Sequence, residues 1–318
     1  MRITGLKRDA SSTRKHPALA VFLLLLSTTV HGQVYKYQDE DGVWHFSDSP
    51  PGQNATDATI AADDSPAMQQ QVIIHRLGSD EAPVFEVTNT LPAPIELAFS
   101  AREMQNMRAD PPLPLRKVIA SGTREPLTRF EKIDPARPWG YAYASRYVLG
   151  DPQAQHRSGK PYLPPYPRQK DFAIGQAFDG ERSHRQHPLT RYAVDIPMPA
   201  QSDIAAARSG HIVEINTGKL APVRRQQTHY VRVLHQDGTF GLYAHLDPAS
   251  IRMLPGTPVD RGQVIGQLAA SADGEIPHLH FAVQKNTGMK LESIPFDFTS
   301  LEGTPVEPKT DLPLHHPL

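Results

Sequence analysis

The stretch Pro277-His278-Leu279-His280-Phe281 decides how the rest of the chain is read. Successive side chains on a β-strand point to opposite faces. Read as a strand, this segment puts His278 and His280 on one face and Leu279 and Phe281 on the other. One face then carries two imidazoles, and the other belongs to a core. Imidazole is the commonest metal ligand and a general base near neutral pH. Two on one face suit a site where one histidine holds a metal and the other moves protons. A pair of surface histidines on a half-buried strand gives the same pattern, and fifteen histidines in 318 residues make chance pairs. The upstream segments decide between these readings.

Gly241-Leu242-Tyr243-Ala244-His245-Leu246 follows Asp237-Gly238, a strong short hairpin signal. The spacing predicts one strand over Tyr230–His235 and a second from Thr239 to Leu246, with His245 near its end and within reach of a cleft. In Tyr192-Ala193-Val194-Asp195-Ile196, Val194 and Ile196 point one way and Asp195 the other. A carboxylate in an apolar strand needs a partner, either a nearby arginine or a functional group. Before it, Ser183-His184-Arg185-Gln186-His187 lies in a polar loop after the turn-forming Asp179-Gly180.

In this order the segments resemble the lysostaphin-type (LytM) zinc metallopeptidases: His, then Asp, then Tyr-Ala-His-Leu, then Pro-His-Leu-His-Phe. Ala207–Val213 and Val259–Gly266 look like that family's connecting strands and turns, and the resemblance spans roughly Gly175 to Val283. It implies a β-rich fold with a groove, zinc as cofactor, and His184, Asp195 and His280 as metal ligands. Two histidines and one carboxylate leave a tetrahedral position open, which marks a catalytic rather than a structural zinc site. The resemblance gives His245 and His278 catalytic roles beside the metal. His187, nearer to Asp195 in sequence, is the alternative upstream ligand. One departure is the glycine-poor loop Ala269–Ile276, where the family has several glycines; it should reshape one wall of the cleft.

No His-Glu-x-x-His motif occurs, which excludes the helix-based zinc protease arrangement. The chain has no cysteine, which excludes thiolate zinc sites, cysteine nucleophiles and a lipid-modified cysteine. The formal net charge of −1, with mixed signs along the chain, argues against a nucleic-acid partner. Arg2, Lys7, Arg8, Arg14 and Lys15 precede an apolar run from Ala18 to Leu26, followed by Val30-His31-Gly32. This reads as a signal peptide, with the mature chain starting at Gln33 in the periplasm.

Thirty-one prolines and few helical periodicities predict an all-β fold. The expected organisation is a signal peptide (1–32), a small β-hairpin domain (33–54), a linker (55–68) and an immunoglobulin-like β-sandwich (69–157). A lysostaphin-type metallopeptidase domain (158–300) and a flexible tail (301–318) follow. The hairpin resembles a short domain of unknown function found in bacterial envelope proteins. Pro161–Pro167 reads as a rigid linker or a packed extended segment. The expected function is a zinc endopeptidase acting on peptidoglycan peptides, with room for a cell-envelope protein partner and the oligomeric state left open. The alternatives are a non-catalytic relative that activates a separate cell-wall amidase, and a peptidase for a non-wall protein or peptide.

Overall fold

The computed structural model describes residues 71–157, 159–168, 170–217, 229–271 and 276–317, and the backbone of 35–38 and 44–47. The expected signal peptide and linker lie outside the described residues, as does half of the glycine-poor loop (272–275). Among the described residues there is no α-helix, and the expected all-β class holds.

Two antiparallel sheets come first. One has the order β3-β4-β8-β6, from β3 (Val72–Ser79), β4 (Ala82–Asn89), β8 (Thr123–Lys132) and β6 (Met107–Asp110). The other has the order β1-β2-β9-β5-β7, from β1 (Tyr35–Gln38), β2 (Trp44–Ser47), β9 (Gly140–Leu149), β5 (Ile95–Gln105) and β7 (Leu115–Ile119). The N-terminal hairpin therefore adds two strands to the edge of this second sheet, because β2 pairs with β9. Alternation places Phe85 and Val87 of β4 inside, facing Ile95, Leu97 and Phe99 of β5. The rings of Phe85, Phe99 and Phe130 meet at centroid distances of 4.9 to 5.1 Å.

A seven-stranded antiparallel sheet follows. Its main path is β11-β18-β15-β14-β13-β16, with β19 paired to β18. The strands are β11 (Ala193–Pro197), β13 (Gly210–Asn216), β14 (Tyr230–His235), β15 (Phe240–Ala244), β16 (Pro258–Val259), β18 (His278–Asn286) and β19 (Leu291–Ser293). Short pairs surround it: β10 (Phe172–Ala173) with β22 (Pro313–Leu314), β12 (Asp203–Ala205) with β17 (Val264–Gln267), and β20 (Phe298–Thr299) with β21 (Pro305–Val306). Val194, Ile196, Leu279 and Phe281 are wholly buried in the core beneath the sheet.

The two parts share one apolar cluster, in which Leu234, Phe240 and Leu291 join the sandwich residues. Gly150, at the end of β9, has φ +92° and lies where a Cβ would come within 2.8 Å of the Phe240 ring. Glu96 is nearly buried, pairs with Arg116 and accepts from Met289 N at 2.6 Å, which ties β5 to the turn before β19.

The structure corrects the flexible tail expected over 301–318. Leu314 is 2% exposed in the β22 pairing with Phe172, and the Tyr166 hydroxyl donates to its carbonyl at 2.6 Å. Buried partners, invisible in a polar, proline-rich composition, hold this segment. The proline-rich run is a packed extended segment: Tyr162 and Tyr166 are wholly buried.

Candidate metal centre

Register places the first two groups. β18 lies between β11 and β15, and His280 stands opposite Asp195 on one side and Ala244 on the other. Directly opposed residues of antiparallel strands share a face. Asp195 and His280 therefore emerge together, on the face away from Val194, Ile196, Leu279 and Phe281. His280 Nδ1 lies 2.8 Å from Asp195 Oδ1.

His184 arrives from the loop between β10 and β11. Its amide and that of Arg185 both donate to Gly180 O at 3.1 Å, which curls the chain back on itself. A Cβ at Gly180 would fall 2.3 Å from Gln176 Cγ, so the curl needs glycine there. The His184 side chain is wholly buried, with Nδ1 2.9 Å from Ala177 O. A carbonyl only accepts, so Nδ1 carries the proton and Nε2 turns to Asp195 Oδ1, 3.1 Å away. That approach is not aligned as a hydrogen bond, and Nε2 is a buried nitrogen without a hydrogen-bond partner.

One donor atom from each of His184, Asp195 and His280 thus lies within 4.8 Å of the others. Tetrahedral zinc with bonds of about 2.0–2.1 Å sets its donor atoms about 3.3 Å apart, close to the 3.1 and 2.8 Å that separate Asp195 Oδ1 from His184 Nε2 and His280 Nδ1. Two imidazoles and a carboxylate also suit zinc chemically. The unpartnered Nε2 of His184, aimed at a carboxylate oxygen, fits a cation between them. Burial acts to raise the Asp195 carboxyl, but the two imidazoles beside it, His184 and His280, outweigh it and hold the group well below the usual carboxylate range. Among the described residues no arginine pairs with Asp195. His187 stays outside the cluster, its Nδ1 accepting from Leu189 N at 3.2 Å.

Sequence reasoning missed Gln176. It is 5% exposed, and its backbone bridges Asp195. Its Nε2 donates to Asp195 Oδ2 at 3.0 Å and to Ser183 Oγ at 2.9 Å. One carboxylate oxygen is thereby held, and the other is left to the two histidines. In the sequence Gln176 reads as a polar residue before a turn, and only its pairing with Asp195 reveals the role.

His245 and His278 form the adjoining wall. The predicted strand from Thr239 to Leu246 ends earlier, at Ala244, because His245 takes φ +67°. In a regular strand the residue after Ala244 would point through the sheet. The left-handed turn instead sets the His245 ring 4.8 Å from that of His278 and 6.1 Å from that of His280. Positive φ is uncommon outside glycine, although histidine is among the residues that adopt it. Two backbone bonds fix the turn: Ala269 N donates to His245 O at 2.9 Å, and Leu246 N to His229 O at 3.3 Å. Burial, then the charges of His280 and His278, pushes the His245 imidazole down to about 3. His278 Nδ1 lies 3.0 Å from Ile276 O and must donate to it, which leaves Nε2 for the cleft.

Most of the large sheet and part of the site fall within a segment that matches a known family. Residues 190–292 match the family model described as Peptidase family M23, which bears out the lysostaphin-type resemblance. The match contains Asp195, His245, His278 and His280, and it begins six residues after His184. Residues 21–72 match a domain of unknown function, DUF4124. No curated protein matches the chain. Among solved structures, lysostaphin in solution is 24% identical, with 37% of this chain and 45% of that chain covered and a TM-score of 0.30. A zinc-containing peptidase from Vibrio cholerae is 18% identical over 73% of this chain and 56% of that one, with a TM-score of 0.31. The catalytic domain of a prophage-encoded M23 protein from Enterococcus faecalis is 19% identical over 42% and 93%, with a TM-score of 0.32. The chain thus spans less than half the length of the lysostaphin it matches.

Proposed function

We propose that this chain is a zinc-dependent endopeptidase that hydrolyses peptide bonds in peptidoglycan, exported to the periplasm and used in cell-wall remodelling. The observation that carries the reading is the convergence of His184, Asp195 and His280 beside two further histidines, all but His184 within a segment that matches a peptidase family.

His184, Asp195 and His280 would hold the metal, with Gln176 orienting the carboxylate. Zinc, when bound there, would supply a water whose pKa is lowered to about 7 and would polarise the scissile carbonyl. His245 would take a proton from the attacking water; burial keeps its imidazole neutral in the metal-free fold and also weakens it as a base. His278, its Nδ1–H fixed on Ile276 O, presents Nε2 to the same space. Either ring, once protonated, donates to the oxyanion that develops on the carbonyl, and then gives its proton to the leaving amine. The rigid left-handed turn at His245 keeps that ring in place between the two tasks.

The test is digestion of peptidoglycan sacculi by residues 33–318, with and without chelator, and analysis of soluble products by mass. Chelator-sensitive release with new amine ends is expected. No release from zinc-loaded protein would overturn the substrate assignment. A second reading, a regulator that activates a cell-wall amidase, draws on the glycine-poor loop that ends at Ile276, which is 71% exposed beside the cleft. Amidase activation that survives His245→Ala would favour it.

A further inference from the structure

A cavity of about 470 Å³ opens at the end of the large sheet remote from the histidine cleft. Asp237, in its wall, precedes β15, and His245 follows it. The five residues of β15 between them span about 17 Å at ~3.4 Å per residue. Arg157, Lys160, Arg208 and Arg261 contribute to the lining, against the one acid Asp237.

That acid is turned inward. The Asp237 side chain is 3% exposed. Its Oδ2 accepts from Arg208 Nη1 at 2.8 Å and from Arg157 N at 3.1 Å, while Oδ1 accepts from Thr239 Oγ1 at 2.6 Å and Thr239 N at 3.1 Å. It balances Arg208 and leaves the charges of Arg157, Lys160 and Arg261 without a carboxylate partner among the described residues. Two guanidinium groups are also held in place. Arg208 lies over the Tyr162 ring, 3.7 Å from its centroid, and donates to Lys160 O. Its Nε is buried without a hydrogen-bond partner. Arg261 Nη2 donates to Thr299 Oγ1 at 2.9 Å. Burial, then the Arg208 charge, holds Arg261 below its ordinary value.

Planar guanidinium forks match carboxylate and phosphate oxygens, and the volume lies in the range of ligand sites. We infer that this cavity is an oxyanion site, taking a carboxylate or phosphate carried by a ligand that binds independently of the histidine cleft. The binding claim stands without the peptidase reading. That reading adds one source of the anion, the free carboxylates of peptidoglycan stem peptides; a phosphate is the other.

The test is calorimetric titration of residues 33–318, kept in chelator so that hydrolysis is silent, with inorganic phosphate and with a synthetic peptide bearing two free carboxylates. The comparison protein carries Lys160→Gln and Arg261→Gln, two exposed positions outside the histidine site. Wild-type protein should bind at least one probe, and the double variant should lose about tenfold in affinity or more. Tighter binding of the peptide assigns the carboxylate source, and tighter binding of phosphate assigns the other. No binding of either probe by the wild type, or undiminished affinity in the double variant, overturns the inference. Failure of the peptidase assay leaves this result untouched.

Discussion

Asp195 and His280 stand directly opposite each other on β11 and β18, with Oδ1 and Nδ1 2.8 Å apart. Because the side-chain period of a strand is two, a slip of one residue in this pairing would send Asp195 into the core. The apolar residues that alternate with the site therefore hold its register. Leu279 and Phe281 position Asp195 and His280 as surely as any hydrogen bond does.

Gln176→Ala should lower zinc affinity by about 10- to 100-fold, the usual cost of removing a partner of a metal ligand. Gln176→Glu should be worse, because it faces Asp195 with a second carboxylate. Competition with a chelator of known affinity measures both. Equal affinity in all three proteins would leave Gln176 a structural residue only.

His245→Ala and His245→Gly should both abolish hydrolysis while zinc stays bound. They should differ in stability. The left-handed backbone costs an L-residue roughly 1–2 kcal/mol and costs glycine nothing, so the glycine variant should be more stable by about 1 kcal/mol despite its greater chain entropy. Urea melts decide it.

Acid should destabilise the metal-free protein above the range where carboxylates titrate. Burial pushes both His235 and His245 down to about 3 in the fold, from an ordinary value near 6.5. Between those values the unfolded chain binds more protons, so stability rises with pH and is lost as pH falls from 6.5 towards 3. The slope should approach about 1.4 kcal/mol per pH unit for each histidine. His245→Asn, which tolerates the left-handed turn, should remove one share of it. An unchanged slope in urea melts at pH 7 and 5 would contradict the burial argument.

Glu96→Ala should cost about 2–3 kcal/mol by leaving the Met289 amide unpaired in a buried contact. Since Glu96 joins the sandwich to the large sheet, the thermal transition should also broaden or split. A single sharp transition at the wild-type temperature would show that this tie is dispensable.

The strands that position the site were legible where alternation is clean. Tyr230–His235 falls where the hairpin signal at Asp237-Gly238 puts it, and the two-faced pattern of 278–281 holds. β8 leaves no clean alternation in the sequence because Pro126 breaks its pattern, and that proline sits opposite Glu86 at a register shift where a missing N–H is tolerated. Asp195 and the four site histidines could be named from motifs. The choice of His184 over His187 depends on how the loop curls at Gly180, and the partnership of Gln176 with Asp195 is purely tertiary. Neither leaves a local signature. The left-handed turn at His245 was equally hidden, since nothing in Tyr243-Ala244-His245-Leu246 marks where a strand must break.

The most direct measurement is the zinc content of the reconstituted protein and of its Asp195→Ala variant, each dialysed against a weak chelator. The account predicts about one equivalent of zinc in the wild type, from the single His-Asp-His cluster found among the described residues, and near none in the variant. A wild type that holds no zinc, or a variant that keeps it, would contradict the claim that His184, Asp195 and His280 form the metal centre.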